Sequence, residues 1–262
     1  MAHLQAMEGH KGQRTLEMKD KDEVLQLLKD KLTQKEPYSL VRYGDGEAMV
    51  LDGDINPYAI GRVVKRQFTS LSYEDAFKVR DILIKALSEC DMLGIPFGKK
   101  LDQPDSYWFK AQSILQKHVP TMDKELCSID IAYHLEDRFK ELFTLAPRIF
   151  CITCRDTKRI AEVSGKDVDT FAIAPEMMFT TYEGPAHYPD QYVKIESWMD
   201  KRKIKGALCL VGGGVLGKIY CNWFRDRGGV AFDIGSMFDQ WAGFVTRGPN
   251  RGKDVKTNDN TL

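Results

Sequence analysis

The chain has 262 residues, with 38 Lys and Arg residues balanced by 38 Asp and Glu residues, so its formal net charge is zero. This length allows one large α/β domain or two small ones, with ample core. The balanced charge excludes a global electrostatic field for nucleic acid or anionic lipid. Any polyanion must be recognised locally, which favours a small ligand such as a nucleotide.

The sequence indicates neither a membrane-spanning protein nor an exported one. No apolar run approaches the ~20 residues of a transmembrane helix. The first 15 residues, MAHLQAMEGHKGQRT, lack the apolar core of a signal peptide, which favours a cytoplasmic location. We expect residues 1–18 to form a flexible leader and residues 247–262 a flexible polar tail.

The cysteine pattern is typical of buried, reduced thiols, because most of the six cysteines lie singly within apolar segments. One Cys-x-x-Cys pair, Cys151 and Cys154, follows the apolar residues RIF. A structural zinc site needs a second such pair. We interpret this one as core thiols at the end of a strand, with a redox pair as the alternative.

Helical and strand-like segments alternate along the chain. Residues 20–34 carry leucines on one helical face, and the strand-like YSLVRYG follows Pro37. A capping box of Ser72 and Asp75 begins a helix over 73–90, before a strand over 91–96. Further helices are predicted over 105–118, 131–143, 155–164, 189–203 and 215–227, and further strands over 126–130, 148–153, 167–173, 206–214 and 229–235.

This alternation predicts an α/β fold with a mainly parallel sheet and helices on both faces. No internal repeat or linker divides the chain, so we expect a single domain over residues 19–246. Ligands of such sheets bind beyond the carboxyl ends of the strands. The loops that follow two of the predicted strands are therefore the expected ligand sites.

The first of these loops is SLVRYGDGEAMVLDG, residues 39–53. Gly44 and Gly46 flank Asp45 and let the backbone approach a ligand closely. Asp45 and Glu47 offer the oxygen ligands that Mg²⁺ or Mn²⁺ prefers. Arg42 could bind a phosphate or pair with one of the acids. A tight turn with solvated acids is the alternative.

The second loop lies in LCLVGGGVLGKIYCNWFRDRGG, residues 208–229, where Gly212, Gly213 and Gly214 leave a strand and enter a helix. Backbone N–H groups at a helix amino terminus form a natural phosphate site, to which Lys218 could add charge. No Walker A sequence is present, and the letters of G-x-G-x-x-G are a weak signal. Close packing of helix on strand is the alternative reading.

Together the two loops suit a metal-bridged diphosphate, such as that of a nucleotide-sugar. The sequence also resembles the GT-D-type bacterial glycosyltransferases. The resemblance rests on Arg42 to Glu47, RYGDGE, which contains an Asp-x-Glu motif. It rests also on YEGPAHYPD at 182–190 and on VGGGVLGKIYCNWFRDRGGVAFDIGSMFDQWAG at 211–243. The three motifs span most of residues 38–245.

The resemblance implies a Rossmann-like fold and a metal-dependent hexosyltransferase that uses a UDP-sugar donor. It implies Mn²⁺ or Mg²⁺ held near Asp45 and Glu47, and a glycan, glycolipid or glycoprotein acceptor of bacterial surface polysaccharide or glycoprotein synthesis. We assign catalysis to Asp45, Glu47 and Asp233. Donor binding is assigned to Arg42, Tyr43, Gly44, Gly46, Gly212, Gly213, Gly214, Lys218 and Asp239.

The remaining motif residues have weaker assignments. Asp233 and Asp239 could orient donor hydroxyls or act as a base, with helix capping as the alternative. Tyr182, Glu183 and His187 lie in a polar loop that could cover the site or meet the acceptor, although a lone histidine is more often structural. Trp241 could stack on a sugar, but we expect it to be a buried anchor.

Two other functions compete with glycosyl transfer. An NAD(P)-dependent oxidoreductase is supported by the glycine pattern and by Asp233, which lies about 20 residues further on, where such enzymes place a ribose-binding acid. A non-catalytic nucleotide-binding protein would bind the donor without turnover.

Overall fold

The computed structural model describes residues 17–52, 63, 71–96, 107–119, 124–176 and 182–244. The predicted leader and tail lie largely outside these ranges. In them the chain forms one eight-stranded sheet in which every pair of neighbouring strands is parallel. The predicted α/β fold is therefore confirmed.

The strands, numbered along the chain, lie in the spatial order β1-β4-β3-β2-β8-β7-β5-β6. Every residue of the central strands β7 and β8 is buried, which explains their continuous apolar sequences. The strand bounds are β1 Met18–Lys19, β2 Tyr38–Arg42, β3 Met92–Ile95, β4 Glu125–Ser128, β5 Ile149–Thr153, β6 Val168–Ala172, β7 Leu208–Val211 and β8 Val230–Asp233.

The helices cover both faces of this sheet, and each face has its own apolar cluster. Their bounds are α1 Lys21–Gln34, α2 Asp45–Leu51, α3 Tyr73–Glu89, α4 Tyr107–His118, α5 Ile131–His134, α6 Phe139–Leu145, α7 Lys158–Ser164, α8 Tyr192–Asp200, α9 Gly217–Asp226 and α10 Met237–Trp241. Residues of α2, α3, α4, α8 and α9 fill the first cluster, and residues of α1, α5, α6, α7 and α10 fill the second.

Local sequence explains several helix ends. Asp20 accepts hydrogen bonds from the backbone N–H groups of Asp22 and Glu23 and so caps α1. Ser72 caps α3 by accepting from the N–H of Asp75, as predicted. The helix predicted over 131–143 is instead broken into α5, a 3₁₀ turn at Glu136–Arg138, and α6.

Two short helices and one strand were not predicted. Helix α2 occupies the stretch interpreted as a ligand-binding loop, and its Ala48, Val50 and Leu51 are buried. Helix α10 follows β8, and strand β1 pairs with β4 at one edge of the sheet. None of the described helices is long and apolar enough to cross a membrane.

Strands β2 and β8 are neighbours in the sheet, and the connections that follow them run to opposite faces. The chain leaving β2 enters α2 on the first face, whereas the chain leaving β8 enters α10 on the second. Such a topological switch point opens a crevice at the carboxyl ends of the strands, where open α/β sheets bind their ligands. The predicted site residues Arg42 and Asp233 end these two strands.

Candidate active site

Two predicted motifs meet at this switch point through one lysine. The ammonium group of Lys218, at the start of α9, lies 3.0 Å from Glu47 Oε1 and 2.7 Å from Asp233 Oδ2. Glu47 belongs to the RYGDGE motif, and Lys218 and Asp233 belong to the glycine-rich motif. The structure thus brings together three residues assigned to the site from sequence.

Arg42 completes the cluster, which we call the charge quartet: Arg42, Glu47, Lys218 and Asp233. The backbone N–H of Arg42 donates to Asp233 Oδ2 at 3.2 Å, and its Nη2 lies 3.8 Å from Asp233 Oδ1. Its Nη1 donates to the carbonyl oxygen of Ile129 at 3.3 Å. Two cations and two carboxylates give the quartet a formal charge of zero.

Three members of the quartet, Glu47, Lys218 and Asp233, are buried, and Arg42 is half-buried. Lys218 is 4% exposed and Asp233 is 1% exposed. Burial alone would lower the pKa of Lys218, but the carboxylates of Asp233 and Glu47 outweigh this effect and hold the pKa above its ordinary value. Lys218 is therefore a cation at neutral pH. Its ammonium group contacts both of these carboxylates.

Glu47 has both carboxylate oxygens engaged. Oε2 accepts the backbone N–H of Gly44 at 2.9 Å, which caps the amino terminus of α2, while Oε1 contacts Lys218. Asp45 is the first residue of α2 and Glu47 the third, and residues two apart on a helix do not face each other. A metal chelated by both carboxylates does not fit this geometry.

Asp45 itself is half-buried and remains compatible with a metal ligand. Within the ranges that the structure describes, no group of three or more His, Cys, Asp or Glu side chains is placed to hold a metal ion. Mg²⁺ and Mn²⁺ sites commonly use one or two carboxylates, with water and substrate phosphates as the other ligands. A site of that kind would use Asp45 and not Glu47.

The glycine run makes the turn between β7 and α9. Gly213 is buried, and a Cβ atom there would lie 3.0 Å from the Cα of Gly217 and 3.3 Å from the ring of Tyr220. Close packing therefore explains this glycine. Gly212 and Gly214 are half-exposed, and Gly214 has a φ of +55° that favours glycine. Both can approach a ligand, although packing also requires Gly212, because a Cβ atom there would lie 2.6 Å from the ring of Phe238.

Tyr43 was assigned to donor binding, but its side chain belongs to the core. It is completely buried, and its hydroxyl donates to the carbonyl oxygen of Ala111 at 2.9 Å. Burial, followed by the charge of Glu47, raises the pKa of Tyr43 far above its ordinary value. The Tyr43 side chain therefore packs in the core beside the end of β2.

The predicted lid loop is anchored to the body of the domain. His187 is 5% exposed, and its Nε2 lies 2.9 Å from the hydroxyl of Tyr220. Burial lowers the pKa of His187 to about 4, so it is neutral at pH 7. Gln191 accepts the N–H of Ala174 at 2.6 Å. Tyr182 is half-buried, and only Glu183 of the three predicted loop residues is exposed.

Asp239 pairs with an arginine that the sequence analysis missed. Arg155 Nε donates to Asp239 Oδ1 at 2.7 Å, just beyond the carboxyl end of β5. Trp241 is a buried anchor, with its ring edge-to-face against Phe139 at 5.0 Å. The signal that could have found Arg155 is its place two residues after a buried strand, at the same sheet edge as the glycine run.

The cysteine interpretation agrees with the geometry. All six thiols are free, Cys151 is buried in β5 and Cys154 is half-buried. Burial raises the pKa of both thiols above the ordinary value, which disfavours the reactive thiolate.

Comparisons with known proteins identify the fold family. A family model for the GT-D fold-like domain matches residues 19–241. No curated protein gives a match. Among solved structures, a glycosyltransferase (DUF1792) from Streptococcus sanguinis is similar over 90% of this chain and 93% of its own, with 15% identity and a TM-score of 0.53.

Two other solved structures give similar values. One is described as a domain of unknown function 1792 with a distinct glycosyltransferase fold. It is 17% identical and has a TM-score of 0.53, and the match covers 92% of this chain and 91% of that structure. The other is a selenomethionine-substituted domain of the same family, 15% identical, covering 92% and 96%, with a TM-score of 0.51. This chain belongs to the GT-D-like family and has its Rossmann-like glycosyltransferase fold.

Proposed function

We propose that this protein is a glycosyltransferase that moves a sugar from a nucleotide-sugar, with UDP as the expected nucleotide, to a glycan, glycolipid or glycoprotein acceptor. One observation carries the proposal. In a glycosyltransferase fold, the RYGDGE motif and the glycine-rich motif meet at the topological switch point through the 3.0 Å contact between Glu47 and Lys218. The bacterial surface pathway and the cytoplasmic location come from the resemblance and the sequence, and are part of the proposal.

In this proposal the charge quartet is a scaffold. It fixes the amino terminus of α2, the start of α9 and the ends of β2 and β8 relative to one another. The nucleotide-sugar donor is then bound by groups that are half-exposed at the carboxyl ends of the strands. These groups include Asp45, Gly46, Gly212 and Gly214. Preorganised groups of this kind stabilise charge that develops during transfer.

The proposal assigns Mn²⁺ or Mg²⁺ to Asp45 together with phosphate oxygens of the donor. A bound divalent ion would offset the negative charge of the departing nucleoside diphosphate. Glu47 is assigned to positioning because Gly44 and Lys218 occupy its oxygens. This assignment narrows the metal site expected from sequence to one of its two carboxylates.

The oxidoreductase alternative is less well supported. It requires the carboxylate of Asp233 to bind a ribose hydroxyl. That side chain is 1% exposed, and its Oδ2 already contacts Lys218 and the N–H of Arg42. The glycine run also lies late in the chain, after β7, the seventh of the eight described strands.

A thermal-shift screen tests the proposal, because a ligand that binds the native state raises its stability. UDP-, GDP- and dTDP-sugars would be compared with NAD, each with and without Mn²⁺. We expect a nucleotide-sugar to raise the melting temperature, with a larger shift in the presence of Mn²⁺. A shift with NAD alone would contradict the proposal. Release of UDP in the presence of acceptor glycans then separates an enzyme from a non-catalytic binding protein.

A further inference from the structure

The cations that sequence assigned to the donor are already neutralised. Arg42 and Lys218 face Asp233 and Glu47 within a largely buried quartet of zero formal charge. A nucleoside diphosphate brings a negative charge that needs a positive partner at the same sheet edge. A cation outside the quartet, with unbonded N–H groups at the carboxyl ends of the strands, would supply this partner.

Arg155 meets this requirement. Its Nε donates to Asp239 Oδ1 at 2.7 Å, and its guanidinium carbon lies 4.6 Å from the centre of the Phe244 ring. Among the residues that the structure describes, neither of its Nη atoms has a hydrogen-bond partner. Burial alone would lower the pKa of Arg155, but the hydrogen bond that Arg155 donates to Asp239 raises it, so the group is cationic.

Arg155 also lies beside the glycine turn. Strand β5, which Arg155 follows, is the neighbour of β7, and the N–H of Gly212 donates to the carbonyl oxygen of Ile152 at 2.8 Å. Helix α10 closes the same corner, since a Cβ atom on Gly212 would lie 2.6 Å from the ring of Phe238. Asp239, the partner of Arg155, is the next residue of that helix.

We propose that Arg155 binds a phosphate group of the nucleotide-sugar donor, and that Asp239 is its positioning residue. This inference rests on the proposed function and assigns a residue within it. Asp239 holds Nε, and the ring of Phe244 fixes the plane of the guanidinium. The two Nη atoms then present the planar fork that binds phosphate bidentately.

The test is isothermal titration of UDP, in the presence of Mn²⁺, into the full-length wild type and into Arg155→Gln and Arg155→Lys. We expect UDP affinity to fall about tenfold or more in Arg155→Gln, because a charge-assisted bidentate contact is lost. Arg155→Lys should fall less, because it keeps the charge without the fork. Asp239→Asn should cause a smaller loss than Arg155→Gln. If Arg155→Gln does not fold, Arg155→Lys carries the comparison.

Arg202 provides a matched control. Its Nε donates to Asp169 at 2.6 Å, and its guanidinium lies 4.2 Å from the Trp198 ring centre. It lines a groove of about 930 Å³ at the amino-terminal ends of β5 and β6, opposite to the strand ends where Arg155 lies. Its Nη atoms are already bonded to Trp198 and Asp169. Arg202→Gln should therefore bind UDP as the wild type does.

Two results would overturn the assignment of Arg155. One is a UDP affinity equal to that of the wild type in both folded Arg155 variants. The other is an equal loss in Arg202→Gln, which would indicate a general or misplaced effect. A wild type that binds no nucleoside diphosphate or nucleotide-sugar would instead refute the proposed function, and the inference with it.

Discussion

Lys218 and Asp233 form a buried ion pair 2.7 Å long between the first turn of α9 and the end of β8. The same ammonium group holds Glu47 of α2 at 3.0 Å, so one side chain links three elements of the switch point. Burying charges is costly unless they are paired, and removal of one partner leaves the others uncompensated. Lys218 is therefore expected to be the residue on which the integrity of this site depends most.

Replacing Lys218 with methionine keeps an unbranched side chain of similar length and removes its charge. We expect the free energy of unfolding to fall by about 3–5 kcal/mol, because two buried carboxylates lose their shared cation. Urea denaturation measures this loss. Lys78→Met is the control, since Lys78 pairs with Glu74 and Asp75 at the surface, and its midpoint should barely move. Equal midpoints for the two variants would contradict the scaffold role of Lys218.

Gly235→Ala tests the placement of Arg42. Gly235 has a φ of +51°, and an added Cβ atom would lie 1.9 Å from Arg42 Nη2. The arginine must move, which disturbs its contact with Asp233. Gly165 has a similar φ of +64° but nothing within 4 Å of an added Cβ atom. We expect Gly165→Ala to show only the cost of its backbone, about 1 kcal/mol.

The comparison of the two glycine variants isolates the loss of stability that is caused by the steric clash with Arg42. Gly235→Ala should lose clearly more stability in urea than Gly165→Ala, and it should also lose UDP affinity. If the two lose the same amount and both bind UDP normally, then the position of Arg42 is not tied to the site.

His187 predicts a pH dependence of stability. Its pKa falls from 6.5 to about 4 on folding because the ring is buried. Between these values the unfolded chain binds a proton that the folded chain does not, so lowering the pH favours unfolding. From pH 7 to pH 4 this group alone should remove on the order of 3 kcal/mol.

The measurement is urea denaturation at pH 7 and at pH 4 for the wild type and for His187→Gln, which cannot titrate in this range. The variant should lose less stability between the two pH values than the wild type. His134→Gln, at an exposed position, is the control and should follow the wild type. A His187→Gln protein with the wild-type pH dependence would show that His187 titrates freely in the folded chain.

Asp45→Asn and Glu47→Gln separate metal binding from positioning. With UDP present, Asp45→Asn should lower Mn²⁺ affinity about tenfold or more, since it removes the charge of the proposed ligand. Glu47→Gln should leave Mn²⁺ affinity nearly unchanged and lower the free energy of unfolding by about 1.5–3 kcal/mol, because it weakens the bond to Lys218. Electron paramagnetic resonance of Mn²⁺ measures the first quantity. The opposite pattern would return the metal to Glu47.

The sequence was sufficient for the longer elements of the fold. Strands β5 and β7 read as continuous apolar runs because both faces of the sheet are covered, and α3 carries its own cap. Helix α2 was not recognised because Gly44 and Gly46 are typical of a turn. Packing of Ala48, Val50 and Leu51 against the core overrides that local preference.

The site was predictable as a set of strand ends but not as a set of contacts. Arg42 and Asp233 are 191 residues apart in the chain, and no local pattern states that they pair. The same holds for Glu47, which the Asp-x-Glu spacing suggested as a metal ligand and which Lys218 holds instead. Arg155 carries no local motif, and only the adjacency of β5 and β7 places it beside the glycine turn.

The most direct test of the proposed active site is a crystal structure of the protein soaked with UDP and Mn²⁺. We predict density for the diphosphate at the carboxyl ends of β5 and β7, with Gly214 and the Nη atoms of Arg155 in contact with phosphate and Asp45 facing the metal. The charge quartet should remain paired as it is here. A nucleotide bound in the groove at the amino-terminal ends of β5 and β6, or anywhere away from the carboxyl ends of β2, β8, β7 and β5, would contradict the proposed site.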